Sequence, residues 1–125
     1  MQYGKVRILF TGDIQHATET WLATHIGDLR ADILHVPHHG SRTSTHPELI
    51  QRVQPEAAII TAGSGNPYGH PHPRVLATLA RHHVRVFRTD RHGAITITSD
   101  GTHYHIEPFI NPRHPPRSVR IPRAR

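Results

Sequence analysis

Cysteine is absent from the 125 residues, so disulfides and thiolate metal sites are excluded, and any transition-metal site must be built from His, Asp and Glu. No apolar run is long enough to cross a bilayer, and Met1-Gln2-Tyr3-Gly4-Lys5 lacks the charged-then-apolar layout of a signal peptide. These absences predict a chain that is soluble on its own. Lysine is nearly missing too: Lys5 stands alone, and arginine supplies the rest of the basic charge behind a net +6. That balance favours anionic partners such as phosphodiesters. Much of the excess, however, sits in Arg113, Arg117, Arg120, Arg123 and Arg125, within a proline-rich stretch. The composition of 108–125 predicts a flexible tail whose charge is simply solvated. The 14 histidines are enough for metal-like spacings to arise by chance, so position must decide which of them matter.

The length fits one small domain that buries enough apolar surface to fold alone. Residues 5–11 read as an apolar strand, and 15–26 as a helix with Ala17, Trp21, Leu22 and Ile26 on its apolar side. Further strands are expected at 32–36, 57–61 and 84–87, with Phe87 in the core as Trp21 would be. Helices are expected at 47–53 and from Pro73 through Val75, Leu76 and Leu79, each with a proline in its first turn. The order is β-α-β-α-β-α-β, which implies right-handed crossovers and a mainly parallel sheet in an α/β layer. Residues 94–98 and 102–106 flank Ser99-Asp100-Gly101 as a hairpin, expected to add an antiparallel edge.

Ligands on parallel sheets collect at the carboxyl ends of strands, and the chemistry-bearing residues lie there. Val6 to Thr11 ends in Gly12-Asp13, where a small residue allows close approach and a carboxylate can bridge two cations. Asp13 could instead cap the helix beginning near Gln15. Pro37-His38-His39-Gly40-Ser41 follows the strand at 32–36. Adjacent imidazoles diverge, so one ligand and one proton-transferring partner is the arrangement expected, against a plain polar turn. Ser41, Thr43 and Ser44 could donate to phosphate oxygens, as many loop hydroxyls could. Between the third strand and its helix, Asn66, Tyr68, His70 and His72 lie on a glycine- and proline-rich loop suited either to substrate contact, with Tyr68 stacking, or to a structural turn. His103 and His105 share a strand face that reads as solvated. His16, His25, His82, His83, His92 and His114 read as surface.

These segments, Leu9 to Asp13, Ala31 to Ser44, Asn66 to Pro73 and Arg88 to Ile95, together resemble the metallo-β-lactamase-fold domain of the ComEC family, membrane channel proteins of bacterial DNA uptake. The His-His-Gly-Ser and Gly-His-Pro-His-Pro segments make the resemblance specific; it runs over about 3–98 in the family's order. It implies half of an αββα sandwich over 1–107, with a two-metal site of zinc or manganese. In that centre the carboxylate matching Asp13 bridges the ions, His39 is a ligand and His38 lies close by. The implied reaction is metal-assisted, nuclease-like hydrolysis of single- or double-stranded DNA. The implied setting is the outer side of the cytoplasmic membrane, beside the parent's channel domain.

One family feature is absent. The His-x-Asp-x-Asp-His motif of the first half of the domain has no counterpart, since no His-x-Asp or Asp-His occurs anywhere in the sequence. The chain therefore reads as a C-terminal half-domain with two ligands. Catalytic zinc usually has three, so the expectation is a weak or inert catalyst alone, and one prone to self-association through faces meant for its other half. Two other readings remain open: a basic module that binds nucleic acid without catalysis, and a hydrolase of the same fold acting on another phosphoester such as a phosphocholine ester.

Overall fold

The computed structural model describes residues 1–110 and 119–121, the last three by backbone alone. Its elements are β1 (Gln2–Tyr3), β2 (Val6–Phe10), α1 (His16–His25), β3 (Ile33–His35), α2 (Pro47–Val53), β4 (Ala57–Ile60), α3 (Pro73–Arg81), β5 (Arg85–Arg88), α4 (Thr89–His92), β6 (Ile95–Ser99), β7 (Tyr104–Pro108) and β8 (Val119–Ile121). Strands β2 to β5 are parallel and lie side by side in chain order, with β1 antiparallel at the β2 edge. The mixed α/β architecture with a parallel sheet is as the alternation of patterns predicts. Among the described residues no helix is long and apolar enough to cross a membrane.

Sequential order has a consequence. Right-handed crossovers between strands laid down in one direction put every helix on the same face, which leaves the other face to be covered by something else. Strand alternation shows the division. Leu34, Val36, Ala58 and Ile60 point into a core with Leu49, Ile50 and Val53 of α2 and Val75 and Leu79 of α3. Ile8, Ile33, Ala57, Ile59 and Phe87 point the other way and meet Tyr104 and Ile106.

The hairpin therefore does not extend the parallel sheet as an edge. Strands β6, β7 and β8 form a separate three-stranded antiparallel sheet lying across the open face. Its inward residues alternate with outward Thr96, Thr98 and His105, so the hairpin was recognisable from its pattern, while its destination depended on which face the helices left bare. Tyr104 Oη donates to Glu56 at 2.8 Å, and Lys5 N donates to the Gly101 carbonyl at 2.6 Å, fastening this sheet to the parallel one. Of the stretch read as a tail, Val119–Ile121 pair with β7 and the segments 111–118 and 122–125 lie outside the described residues.

Helix α1 departs from expectation in what it buries. Trp21 is 52% exposed and stacks on His25 with ring centroids 4.8 Å apart, rather than entering the core. The buried residue is Glu19, on the same face as the half-buried Leu22. Its carboxylate accepts from Thr45 N at 2.6 Å, His46 N at 2.9 Å and His46 Nδ1 at 3.1 Å. These are donors at the start of α2, whose own N-cap, His46, makes no side-chain cap. Glu19 thus satisfies from another helix the amides that a local cap would normally take.

Candidate functional site

Hydrogen bonds tie the carboxyl ends of β2, β3 and β4 together, and Val36 N donates to the Ile59 carbonyl at 2.9 Å between the last two. His38 N donates to the Gly12 carbonyl at 2.9 Å, and Thr11 Oγ1 donates to the His35 carbonyl at 2.6 Å. Gly12 has φ +56° with open space where a Cβ would stand, so glycine is required there by the backbone rather than by a close neighbour. Asp13 follows, with its side chain 71% exposed. It does not cap α1: Gln15 occupies that position and no side chain caps the helix.

His38 and His39 both take left-handed backbone conformations, φ 49° and 55°, which turn the chain back over the strand ends. The His39 ring is fixed by its hydrogen bonds. Its Nδ1 lies 2.7 Å from the Thr61 carbonyl oxygen, which can only accept, so Nδ1 carries the proton. In the neutral ring the lone pair is then on Nε2, and Nε2 is the atom facing Asp13 Oδ1 at 3.7 Å. That separation is too long for a hydrogen bond. It is close to the edge of about 3.4 Å between two ligand atoms on one tetrahedral ion with bonds near 2.1 Å. His39 and Asp13 could hold a divalent cation, since tautomer, direction and spacing all fit.

Two residues that the sequence reading passed over support this ring. Thr61 Oγ1 lies 3.2 Å from His39 Nδ1 and 3.2 Å from His35 Nε2. Burial, then the neighbouring His39, pushes His35 towards the neutral form, with Asp13 opposing. His35 was legible only as a strand residue. The available signal was that it is polar in an apolar strand and on the same face as Ile59, two residues before Thr61.

His38 sits between the other imidazoles, its ring centroid 6.4 Å from that of His39 and 6.0 Å from that of His70. Its Nδ1 is buried without a hydrogen-bond partner among the described residues, as is His35 Nδ1. Burial, then His38 and His39, lowers the affinity of His70 for a proton. The two signature loops are physically interlocked. His72 N donates to the Gly40 carbonyl at 2.8 Å, and a Cβ on Gly40 would lie 2.7 Å from Pro71 Cβ.

The remaining predicted residues divide by position. Asn66 holds its own loop, its amide donating to the Gly63 carbonyl at 3.0 Å and the His70 carbonyl at 2.7 Å while Oδ1 accepts from His70 N at 3.0 Å. His72 caps α3, accepting from Arg74 N at 3.2 Å. Ser44 is buried and donates to the Pro37 carbonyl at 2.9 Å, and Ser41 and Thr43 hydroxyls lie 3.1 Å apart. These three close the turn that carries His38 and His39, and none of them lines the cavity beside it. That cavity, about 400 Å³, is bounded by His39, Thr61, Ala62, Tyr68, His70 and Thr89. His92, read as surface, is half-buried, and its Nδ1 accepts from Arg88 N at 2.9 Å.

Among the described residues, the three-residue group whose possible ligand atoms all lie within 4.8 Å of one another is elsewhere: His16, Glu19 and His46. Its carboxylate is already occupied by three donors. The His16 and His46 ring centroids lie 3.8 Å apart with the planes tilted by 37°. It is a capping cluster by geometry.

Fold and site define a mixed α/β domain that gathers several imidazoles and one exposed carboxylate at the carboxyl ends of a parallel sheet. No protein-family model matches the chain. It is 45% identical over 95 residues to ComE operon protein 3 of Bacillus subtilis (strain 168), covering 76% of this chain and 12% of that protein. It is 38% identical over 94 residues to Recombination protein 2 of Haemophilus influenzae, covering 75% and 12% respectively. Competence protein ComA of Neisseria gonorrhoeae is 33% identical over 93 residues, covering 74% of this chain and 14% of its own. The chain is thus homologous to competence-related proteins, of whose length the match spans only 12 to 14%.

Proposed function

We propose that the chain is the C-terminal half of a metallo-β-lactamase-fold domain of the ComEC type, and that it contributes Asp13 and His39 to a two-metal phosphodiesterase centre acting on DNA during competence. The observation that carries this reading is the His39 ring, whose Nδ1 is committed to the Thr61 carbonyl at 2.7 Å while Nε2 faces Asp13 at 3.7 Å. Zinc or manganese bound there would supply a Lewis acid for phosphodiester oxygens and would lower the pKa of water. Asp13 supplies an exposed carboxylate, and Thr61 holds the His39 ring with Nε2 facing it. His38 is assigned as the neighbouring imidazole that assists the reaction, its ring centroid 6.4 Å from that of His39.

Two protein ligands are fewer than the three that usually retain a catalytic ion, so the remaining ones are assigned to a first half-domain outside this chain. The reading places the assembled domain beside a membrane channel of DNA uptake, on the outer side of the cytoplasmic membrane. Co-expression with a first half-domain bearing the His-x-Asp-x-Asp-His motif tests it. Manganese- or zinc-dependent cleavage of DNA is expected, abolished by a chelator and reduced at least about hundredfold by Asp13→Ala or His39→Ala. Cleavage that survives Asp13→Ala in the same preparation overturns the assignment.

A further inference from the structure

We propose that the cavity beside His39 is a nucleobase pocket and that the strand received there is unpaired DNA. This rests on the phosphodiesterase reading for its position along the substrate, but on separate residues for its chemistry. The volume of about 400 Å³ lies within the usual range for small organic ligands, and the lining is predominantly apolar. A phosphate or a metal ion alone would find little to hold it there. The walls suit a flat aromatic ring instead, since Thr61, Ala62 and Thr89 line the cavity together with the rings of Tyr68 and His70.

Tyr68 is the informative member. It is 79% exposed, and its ring lies 5.8 Å from that of His70 with an interplanar angle of 30°. A large aromatic face held at the mouth of an apolar cavity, with no core to enter, is a stacking surface. Two of the polar side chains in its lining are already engaged. Asn66 is spent on its own loop, and Thr89 Oγ1 donates to the Ala62 carbonyl and accepts from Ala62 N, both at 2.9 Å. The ring nitrogens of His39 and His70 remain, but no paired amide or guanidinium set is left to read a base edge, so recognition rests on stacking and tolerates any base. A base can enter only when it is not stacked in a duplex, which makes single strands and frayed ends the substrate. Because His39 lines the same cavity and faces Asp13, a base seated there brings its own phosphate towards that pair.

The test is binding by the full chain, in chelator so that no metal takes part, of a short single-stranded DNA oligonucleotide carrying one terminal 2-aminopurine. Stacking should quench its fluorescence, with similar affinity for oligo-dT and oligo-dA bearing the same probe. Tyr68→Ala should remove the quench and weaken binding about tenfold or more, while Tyr68→Phe keeps both. Tyr68 is exposed, so neither change threatens folding. Because this assay runs in chelator, its outcome reports on the pocket alone, whereas loss of cleavage by Asp13→Ala in the co-expressed assembly reports on the metal reading. No binding by the parent chain, equal binding by Tyr68→Ala, or equal binding of a blunt duplex would overturn the proposal. So would displacement of the oligonucleotide by millimolar phosphocholine, which would give the aromatic wall to a quaternary ammonium group.

Discussion

Glu19 is a carboxylate placed 1% exposed on the inner face of a helix, and it is tolerated only because three donors converge on it. Two are backbone amides at the start of α2, so removing the side chain strands donors in a buried place where water cannot replace it. Glu19→Ala should therefore cost about 3 kcal/mol, well beyond the loss of one surface ion pair. In urea unfolding the midpoint should fall with the slope unchanged; a loss under about 1 kcal/mol would mean that water reaches Thr45 and His46 after all. The position was partly legible. Residues 19, 22 and 26 share a helical face, and a lone acid among apolar neighbours on that face marks a buried partner, but the sequence does not say which segment supplies the donors. Trp21 misleads for the opposite reason: on α1 its size suggests the core, while the helical angle puts it outside.

At the scale of elements, the second sheet is where pattern and position part. Alternation in β6 and β7 makes the hairpin readable, yet an edge and a covering layer have the same alternation, and only the sequential order of β2 to β5 decides between them. The layer's energetic contribution should follow its facing. Ile106, 1% exposed between the sheets, should cost about 3 kcal/mol when changed to Ala, and the outward Thr98 no more than about 0.5 kcal/mol. Equal effects in chemical denaturation would show that the layer is not packed as described. The hairpin turn also carries its own pH dependence. Backbone amides of His103 and then Thr102 donate to Asp100, lowering it from 3.8 to about 2. A depressed carboxylate favours the folded turn above about pH 3.8 and ceases to do so as pH falls through about 2. The Thr102 and His103 amide resonances should titrate with a midpoint near 2, and Asp100→Asn should flatten both curves. A midpoint at the ordinary 3.8 would contradict those hydrogen bonds.

For the whole molecule, strand ends were the legible part of the site, because a small residue, a glycine and a polar side chain after an apolar run are visible in one dimension. The supports were not, because His35, His39 and Thr61 come from β3, the following turn and the end of β4, and only strand register places them together. On the proposed reading, two groups among the described residues would compete for an added cation: the open Asp13–His39 pair, and the tighter His16, Glu19 and His46 group. Distance alone favours the second. Available lone pairs favour the first, since the Glu19 carboxylate already accepts from three donors while Asp13 is exposed. Binding to the native state stabilises it by RT ln(1 + [L]/Kd), so zinc or manganese at ten times Kd should add about 1.4 kcal/mol and raise Tm by roughly 5 °C. His39→Ala and Asp13→Ala should abolish that rise, and His16→Ala should leave it intact. The reverse pattern in a thermal-shift titration would move the metal centre to α1 and leave the strand ends with binding contacts alone.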